Sequence, residues 1–246
     1  MKDELLQRIA RYLMLHGSFT SNIGILNGKM GIAIFFYHYS IYSGKRIYAD
    51  FAGEIIDEIY KEINVNTVLN FKDGLCGIAW GFGYLIQNGF VEANSDDVLE
   101  DLDSRIMEWD VRRITDYSLE TGLVGISCYV ISRMENREKK NVYINQEYIF
   151  DLIEALKRKK EKIDTDLMDA MGYIFIRHCE RSEAIQNSPV IGRRNEETIR
   201  TFNPINRIIE KTRYDSKTIF ETSRALGIDK SGYAGIGLQL MEVNKQ

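Results

Sequence analysis

The sequence predicts an all-α protein of paired helices, arranged as an (α/α) toroid or open arc with about five inner helices. Three observations predict this fold: a glycine motif that recurs in phase, an alternation of apolar and amphipathic segments, and a scarcity of proline. Only Pro189 and Pro204 occur among the 246 residues. Because proline is the residue that most often ends a helix, we expect helices along the whole chain and no sheet larger than a hairpin.

The glycine motif is Gly-x-x-Gly followed by small or apolar residues. It occurs four times, and a fifth copy carries Asp at its first position; the copies begin at Gly28, Gly74, Gly122, Asp169 and Gly232. The first four copies recur at steps of about 47 residues, which is long enough for two helices and two turns. We therefore expect inner helices to start near residues 28, 74, 122, 169 and 232.

The last step of the repeat is about 16 residues longer than the others. The polar stretch 177–194 ignores the helical period and contains Pro189. We predict a single domain over residues 1–246 with an insertion at 177–194, which should be loop or poorly packed. The chain stops directly after its last inner segment, so we expect either an open ring or part of a larger domain.

Two kinds of segment alternate along the chain. Residues 50–63 carry Phe51, Ile55, Ile59 and Ile63 at four-residue steps, as an amphipathic helix with one wet face does. The same pattern recurs in residues 5–13, 98–109 (through Trp109) and 149–156. The glycine-led segments are apolar nearly all round, and a helix without a wet face must be enclosed. Each repeat therefore supplies one inner and one outer helix.

Helix-capping residue types precede four of the glycine motifs: Asn27, Asp73, Thr121 and Ser231. We expect these side chains to accept hydrogen bonds from the first helical turn, and the glycines to let neighbouring inner helices approach each other. A functional interpretation is that the inner helices open onto one mouth that is rich in N–H donors. The candidate binding residues are then Asn27, Gly28, Gly31, Asp73, Gly74, Gly77, Thr121, Gly122, Gly125, Ser231, Gly232 and Gly235.

The composition excludes several classes of function. Against 32 basic residues there are 36 acidic ones, giving a net charge of −4 with no long basic run, so nucleic acid is not expected as a partner. No apolar stretch is long enough for a membrane span, and the first residues do not resemble a signal peptide. Three cysteines without a pairing pattern indicate a reducing compartment, so we predict a cytoplasmic protein.

The repeat resembles that of the lanthionine synthetase C family, which are (α/α) toroids, and the resemblance implies a bacterial protein. The resemblance is carried by Leu26–Ala33 (LNGKMGIA) and Asp73–Ala79 (DGLCGIA). It implies a peptide substrate or partner protein, and zinc as the cofactor. It also implies an activity, the zinc-assisted addition of peptide cysteine thiols to dehydroalanine or dehydrobutyrine.

The zinc ligands that the resemblance implies are not found at the matching positions. That family places cysteines and a histidine just before the glycine motifs, where this chain has Asn27, Asp73, Thr121, Met168 and Ser231. None of these supplies a soft ligand. Cys76 and Cys128 suit small core residues better than ligands, and His178 and Cys179 lie in the expected insertion. We therefore predict no cofactor, and a protein that modifies or binds peptides without zinc-dependent activity.

Two alternatives remain open at this point. A carbohydrate-active helical ring would need two carboxylates about 5 to 10 Å apart, for which Asp73, Asp116, Glu120 and Asp229 are the candidates. Trp80 would suit sugar stacking, although its place in an inner segment predicts a core residue. The other alternative is a non-catalytic interaction module or a truncated remnant.

Overall fold

The computed structural model describes residues 2–135, 144–158, 163, 165, 167–173, 204, 220, 226–229 and 232–242. Every regular element in these ranges is helical, which confirms the all-α prediction. The elements are α1 (Lys2–Gly17), α2 (Lys29–Ser43), α3 (Ile47–Glu62), α4 (Leu75–Gln87), α5 (Ser95–Met107), a 3₁₀ turn (Val111–Arg113), α6 (Leu123–Glu135), α7 (Gln146–Lys157) and α8 (Tyr233–Met241). Residues 167–173 are helical as well.

The predicted inner helices begin close to their glycine motifs. Each of α2, α4, α6 and α8 starts one residue after the first glycine of its copy, and α4 and α6 continue unbroken through Gly77 and Gly125. The Asp169 copy differs, because Asp169 lies inside the helical stretch 167–173 and not ahead of it. Residues 177–194 lie outside the described residues.

The chain divides into two compact units. We call residues Met1–Gly81 with Pro204–Gln246 the terminal unit, and Phe82–Asn203 the middle unit. The first and last helices of the chain therefore belong to one unit. No helix in the described ranges has the length and apolar character needed to cross a membrane.

In the terminal unit α2 is the enclosed helix. It packs against α1, α3 and α8, and its buried residues run without interruption from Lys29 to Tyr37. The rings of Phe36 and Phe51 meet edge to face at 4.9 Å, which joins α2 to α3. The amphipathic helix α3 buries only Ala52, Ile55 and Ile59. The predicted alternation of enclosed and amphipathic helices is confirmed here.

In the middle unit α7 packs against α6 and against the 3₁₀ turn. The buried face of α5 differs from the predicted stripe, since it consists of Leu99, Leu102, Asp103 and Ile106. Trp109 was expected on that stripe, but α5 ends at Met107 and Trp109 is 50% exposed.

Candidate functional site

The loops before α2, α4 and α6 share one backbone geometry. Each loop folds over the start of its own helix, and the first helical N–H donates to a carbonyl seven residues earlier in the chain. The bonds are Lys29 N to Asn22 O at 2.8 Å, Leu75 N to Val68 O at 2.8 Å and Leu123 N to Asp116 O at 2.9 Å. We call residues 22–28, 68–74 and 116–122 the hood loops.

The hood loops explain why glycine recurs. A Cβ on Gly74 would collide with the carbonyl of Val68, and a Cβ on Gly77 with the carbonyl of Phe71. Both obstructions come from the same repeat's own hood. The expectation that these glycines mainly admit a neighbouring inner helix is therefore wrong, because the closest approach is to the preceding loop.

The expectation that Asp73 caps α4 is also wrong. The N–H groups of Leu75 and Cys76 donate to the carbonyls of Val68 and Leu69, so the hood already occupies the donors that a cap would use. Asp73 Oδ1 instead accepts from Asn22 Nδ2 at 2.8 Å and from Asn27 Nδ2 at 3.4 Å. These side chains tie two hood loops together.

The other predicted caps are replaced in the same way. Gly28 and Gly232 occupy the cap positions of α2 and α8, and neither makes a side-chain capping bond. The Thr121 hydroxyl donates to Asp116 at 2.5 Å and does not cap α6. Ser231 lies outside the described residues. The hood carbonyls therefore leave the helix starts with fewer free N–H donors than the predicted mouth requires.

Asp116 stabilises its own hood loop. It accepts from the Thr121 hydroxyl and from the Ser118 N–H, the latter at 2.8 Å. These bonds hold the pKa of Asp116 below its ordinary value, with the Thr121 bond as the largest cause. A carboxylate held in this way is a poor proton donor. Of the candidate carboxylates, Asp116 and Glu120 lie in the middle unit, and Asp73 and Asp229 lie in the terminal unit.

Three loops lie side by side in the terminal unit. Leu26 N donates to Lys72 O at 3.0 Å, which joins the hoods of α2 and α4. Ile228 N donates to Ile25 O at 3.2 Å and Asp229 N donates to Leu26 O at 2.9 Å, which joins residues 226–229 to the hood of α2. The starts of α4, α2 and α8 are therefore neighbours. A closed toroid or an open arc stays a prediction.

Sequence reasoning did not find the role of Lys29, the residue after the first glycine of its motif. Lys29 is 4% exposed, and its Nζ lies 2.6 Å from Glu62 Oε1 and 2.9 Å from Glu58 Oε2. Burial acts to lower the pKa of Lys29, but the bonds to Glu62 and Glu58 outweigh burial and the pKa is raised. The pair of carboxylates fastens α2 to α3.

The described residues offer no metal site of the expected kind. Cys76 and Cys128 are 0% and 1% exposed, as core residues are. Within the ranges that the structure describes, no three His, Cys, Asp or Glu side chains are grouped so as to hold a metal ion. His178 and Cys179 fall outside those ranges.

No family model, curated protein or solved structure matches the chain. The likeness to the lanthionine synthetase C family therefore depends on the repeat motifs alone.

Proposed function

We propose that this chain is a lanthionine synthetase C-like protein that binds peptides and does not carry out zinc-dependent thioether formation. The observation that carries the proposal is the set of loops joined side by side in the terminal unit, which brings three glycine-led helix starts together. The partly exposed polar side chains on these loops are Asn22, Asn27, Asn70, Lys72, Asp73 and Asp229. Amides, an amine and carboxylates of this kind suit the backbone and polar side chains of an extended peptide.

The residues before the glycine motifs argue against the cyclisation chemistry. Activation of a thiol by zinc uses soft thiolate and imidazole ligands, with an open position for the substrate. Asn27 Nδ2 donates to Asp73 Oδ1 at 3.4 Å and Thr121 bonds to Asp116, so these side chains are engaged in contacts between and within the hood loops.

A cyclisation assay tests the chemical half of the proposal. The full chain is mixed with a synthetic peptide that carries one cysteine and one dehydroalanine, and free thiol is followed over time. We expect thiol loss at the uncatalysed rate, both with and without added zinc. Faster thiol loss that a chelator abolishes would contradict the proposal.

A binding assay tests the other half with a fluorescein-labelled copy of the same peptide and fluorescence anisotropy. Lys72→Glu reverses a charge on a hood loop, and we expect it to weaken binding by about threefold or more. Lys61→Glu is the matched control, because it makes the same change on the exposed face of α3. Equal affinity in the two variants, or no binding by the wild type, would favour the remnant interpretation.

A further inference from the structure

A surface pocket of about 260 Å³ lies in the middle unit, where the residues after α5 meet the start of α7. Three contacts fix the segment after α5 on α7 and its C-cap, and the first of them joins two residues that line the pocket. Arg112 Nε lies 3.5 Å from Asp151 Oδ2, the Arg158 guanidinium donates to Arg112 O at 2.7 Å, and the Tyr117 hydroxyl donates to Ala155 O at 3.1 Å. The pocket is therefore built from a segment that is fixed on α7.

Trp109 gives the pocket a flat apolar surface. Its side chain lies past the end of α5 and is 50% exposed, whereas Trp80 is 4% exposed within α4. An indole left half in water at a pocket provides a ring face on which a ligand can stack. Sequence reasoning assigned Trp109 to a core stripe and so missed this role.

The lining of the pocket carries four carboxylates, on Glu108, Asp110, Glu147 and Asp151, and one guanidinium, on Arg112. Arg112 Nε donates to Asp110 Oδ1 at 2.8 Å and also faces Asp151, while Asn145 and Glu147 add exposed polar groups. The Arg112 bond holds the pKa of Asp110 below its ordinary value, so this carboxylate stays ionised. Because the carboxylates outnumber the guanidinium, the lining repels an anion and favours a ligand without negative charge.

We propose that this pocket binds a single pyranose ring of a neutral carbohydrate. Such a ring has one face of C–H groups, which stacks on an indole, and an edge of hydroxyl groups. Carboxylate, amide and guanidinium groups are planar and pair with two neighbouring hydroxyls at once. The pocket offers a carboxylate in Asp151 and a guanidinium in Arg112, and Asn145 adds an amide whose Oδ1 already accepts from the Tyr148 N–H at 2.7 Å. The binding is separate from the peptide site proposed in the terminal unit, and no bond is made or broken.

Methyl pyranosides test the proposal on the full chain. Methyl glycosides of glucose, galactose, mannose and N-acetylglucosamine are screened by saturation-transfer NMR, and affinities are measured by titrating the same NMR signal, which does not depend on Trp109. We expect at least one of them to bind with a millimolar dissociation constant. Trp109→Ala should weaken that binding about tenfold or more, and Asp151→Asn about threefold or more.

Tyr60→Ala is the matched control, since Tyr60 is 66% exposed on α3 in the terminal unit and its loss should leave the affinity unchanged. Far-UV circular dichroism checks that each variant folds. If Trp109→Ala does not fold, the affinity of Asp151→Asn tests the proposal in its place. Three outcomes would overturn the proposal. They are no binding by any of the four glycosides, wild-type affinity in the folded variants, and tighter binding of arginine amide than of every glycoside.

Discussion

At the scale of single residues, Asp73 is the side chain that links the hood of α4 to the hood of α2. Its Oδ1 accepts from Asn22 and Asn27, which are partly buried. Asp73→Ala would leave the Asn22 amide without this acceptor, so we expect a loss of about 1 kcal/mol in the free energy of unfolding. Asp73→Asn keeps an oxygen acceptor and should lose less. Urea denaturation at neutral pH measures both.

A double-mutant cycle with Asn22→Ala gives the control for Asp73. The two alanine variants should be less than additive, because each removes the same hydrogen bond. If the two losses in the free energy of unfolding were fully additive, or if Asp73→Ala unfolded as the wild type does, the hydrogen bond between Asn22 and Asp73 would contribute nothing to stability.

His38 makes stability depend on pH. Burial lowers its pKa from 6.5 to about 4. Between these two values the unfolded chain binds a proton at this site and the folded chain does not, so stability falls as the pH falls. Between pH 6.5 and pH 4 this effect lowers the free energy of unfolding of the wild type by an amount on the order of 2 kcal/mol, and we expect His38→Asn to abolish it. Thermal melts at a series of pH values measure the difference.

His16 provides the comparison for His38, since it lies exposed near the end of α1. His16→Gln should keep the acid sensitivity of the wild type. If the melting temperatures of the wild type and His38→Asn changed with pH in the same way, His38 would not be the cause of the acid sensitivity.

At the scale of elements, the hood loops make some helical glycines indispensable and leave others replaceable. Gly77→Ala would drive a Cβ into the Phe71 carbonyl, and we expect it to cost about 3 kcal/mol or more. Gly53→Ala in α3 meets only the Tyr37 hydroxyl at 3.9 Å, so it should stabilise the chain by about 0.5–1 kcal/mol. Chemical denaturation compares the two, and a neutral Gly77→Ala would contradict the hood geometry.

A buried ion pair joins α5 to α6. Arg133 Nε lies 2.8 Å from Asp103 Oδ2, and both residues are almost wholly buried. Burial raises the pKa of Asp103, although the bonds from Tyr129 and Arg133 act against it. Arg133→Met would strand the Asp103 carboxylate and should cost about 3–5 kcal/mol.

The double change Asp103→Leu with Arg133→Met tests that interpretation by removing both charges. It should recover most of the stability in urea denaturation, since two apolar side chains replace the pair. A double variant as unstable as Arg133→Met alone would show that shape, and not charge, joins the helices.

Helix starts could be predicted from the sequence because the signal is local. Each glycine that packs under its own hood lies against a backbone carbonyl no more than seven residues earlier in the chain. The starts of α2, α4, α6 and α8 were therefore predicted to within one residue. The buried Asp103 could not be found, because its partner Arg133 lies on the next helix and the face of α5 is set by packing. Lys29 was missed for the same reason.

The candidate site was predicted less well than the fold. Asn27 and Asp73 were singled out correctly as polar residues beside the glycines, but their role as caps was wrong. A capping preference describes one residue and its own helix, whereas Asp73 bonds to a loop 51 residues away in the chain. The pocket at Trp109 forms where the end of α5 meets α7. These segments are far apart in the sequence, so no local pattern predicts their contact.

At the scale of the whole molecule, the two ends of the chain belong to one unit. The rings of Tyr12 and Tyr233 lie 4.4 Å apart, and Lys2 Nζ lies 3.9 Å from Glu242 Oε1. Removing residues 226–246 would uncover apolar surface on α1 and α2 and break the bonds to Ile25 and Leu26. We expect the truncated chain to lose the cooperative melt of the terminal unit, measured by circular dichroism and limited proteolysis.

A synthetic peptide of residues 226–242 serves as the control for that truncation. Added in excess, it should restore protease resistance to residues 2–81, since binding to the folded state stabilises that state. A truncated chain that melts as the wild type does would show that α8 is dispensable.

The joining of the first and last helices also sets an order for biosynthesis. Residues 82–203 are contiguous, so the middle unit has all its partners as soon as that stretch has left the ribosome. Helices α1 to α3 emerge earlier but must wait for α8, which is made after the whole middle unit. During that interval the apolar side of α2 stays open to chaperones and to other nascent chains. Slow translation between residues 82 and 232 would prolong this exposure, so aggregation of newly made protein should depend on translation speed there more than on the stability of the finished fold.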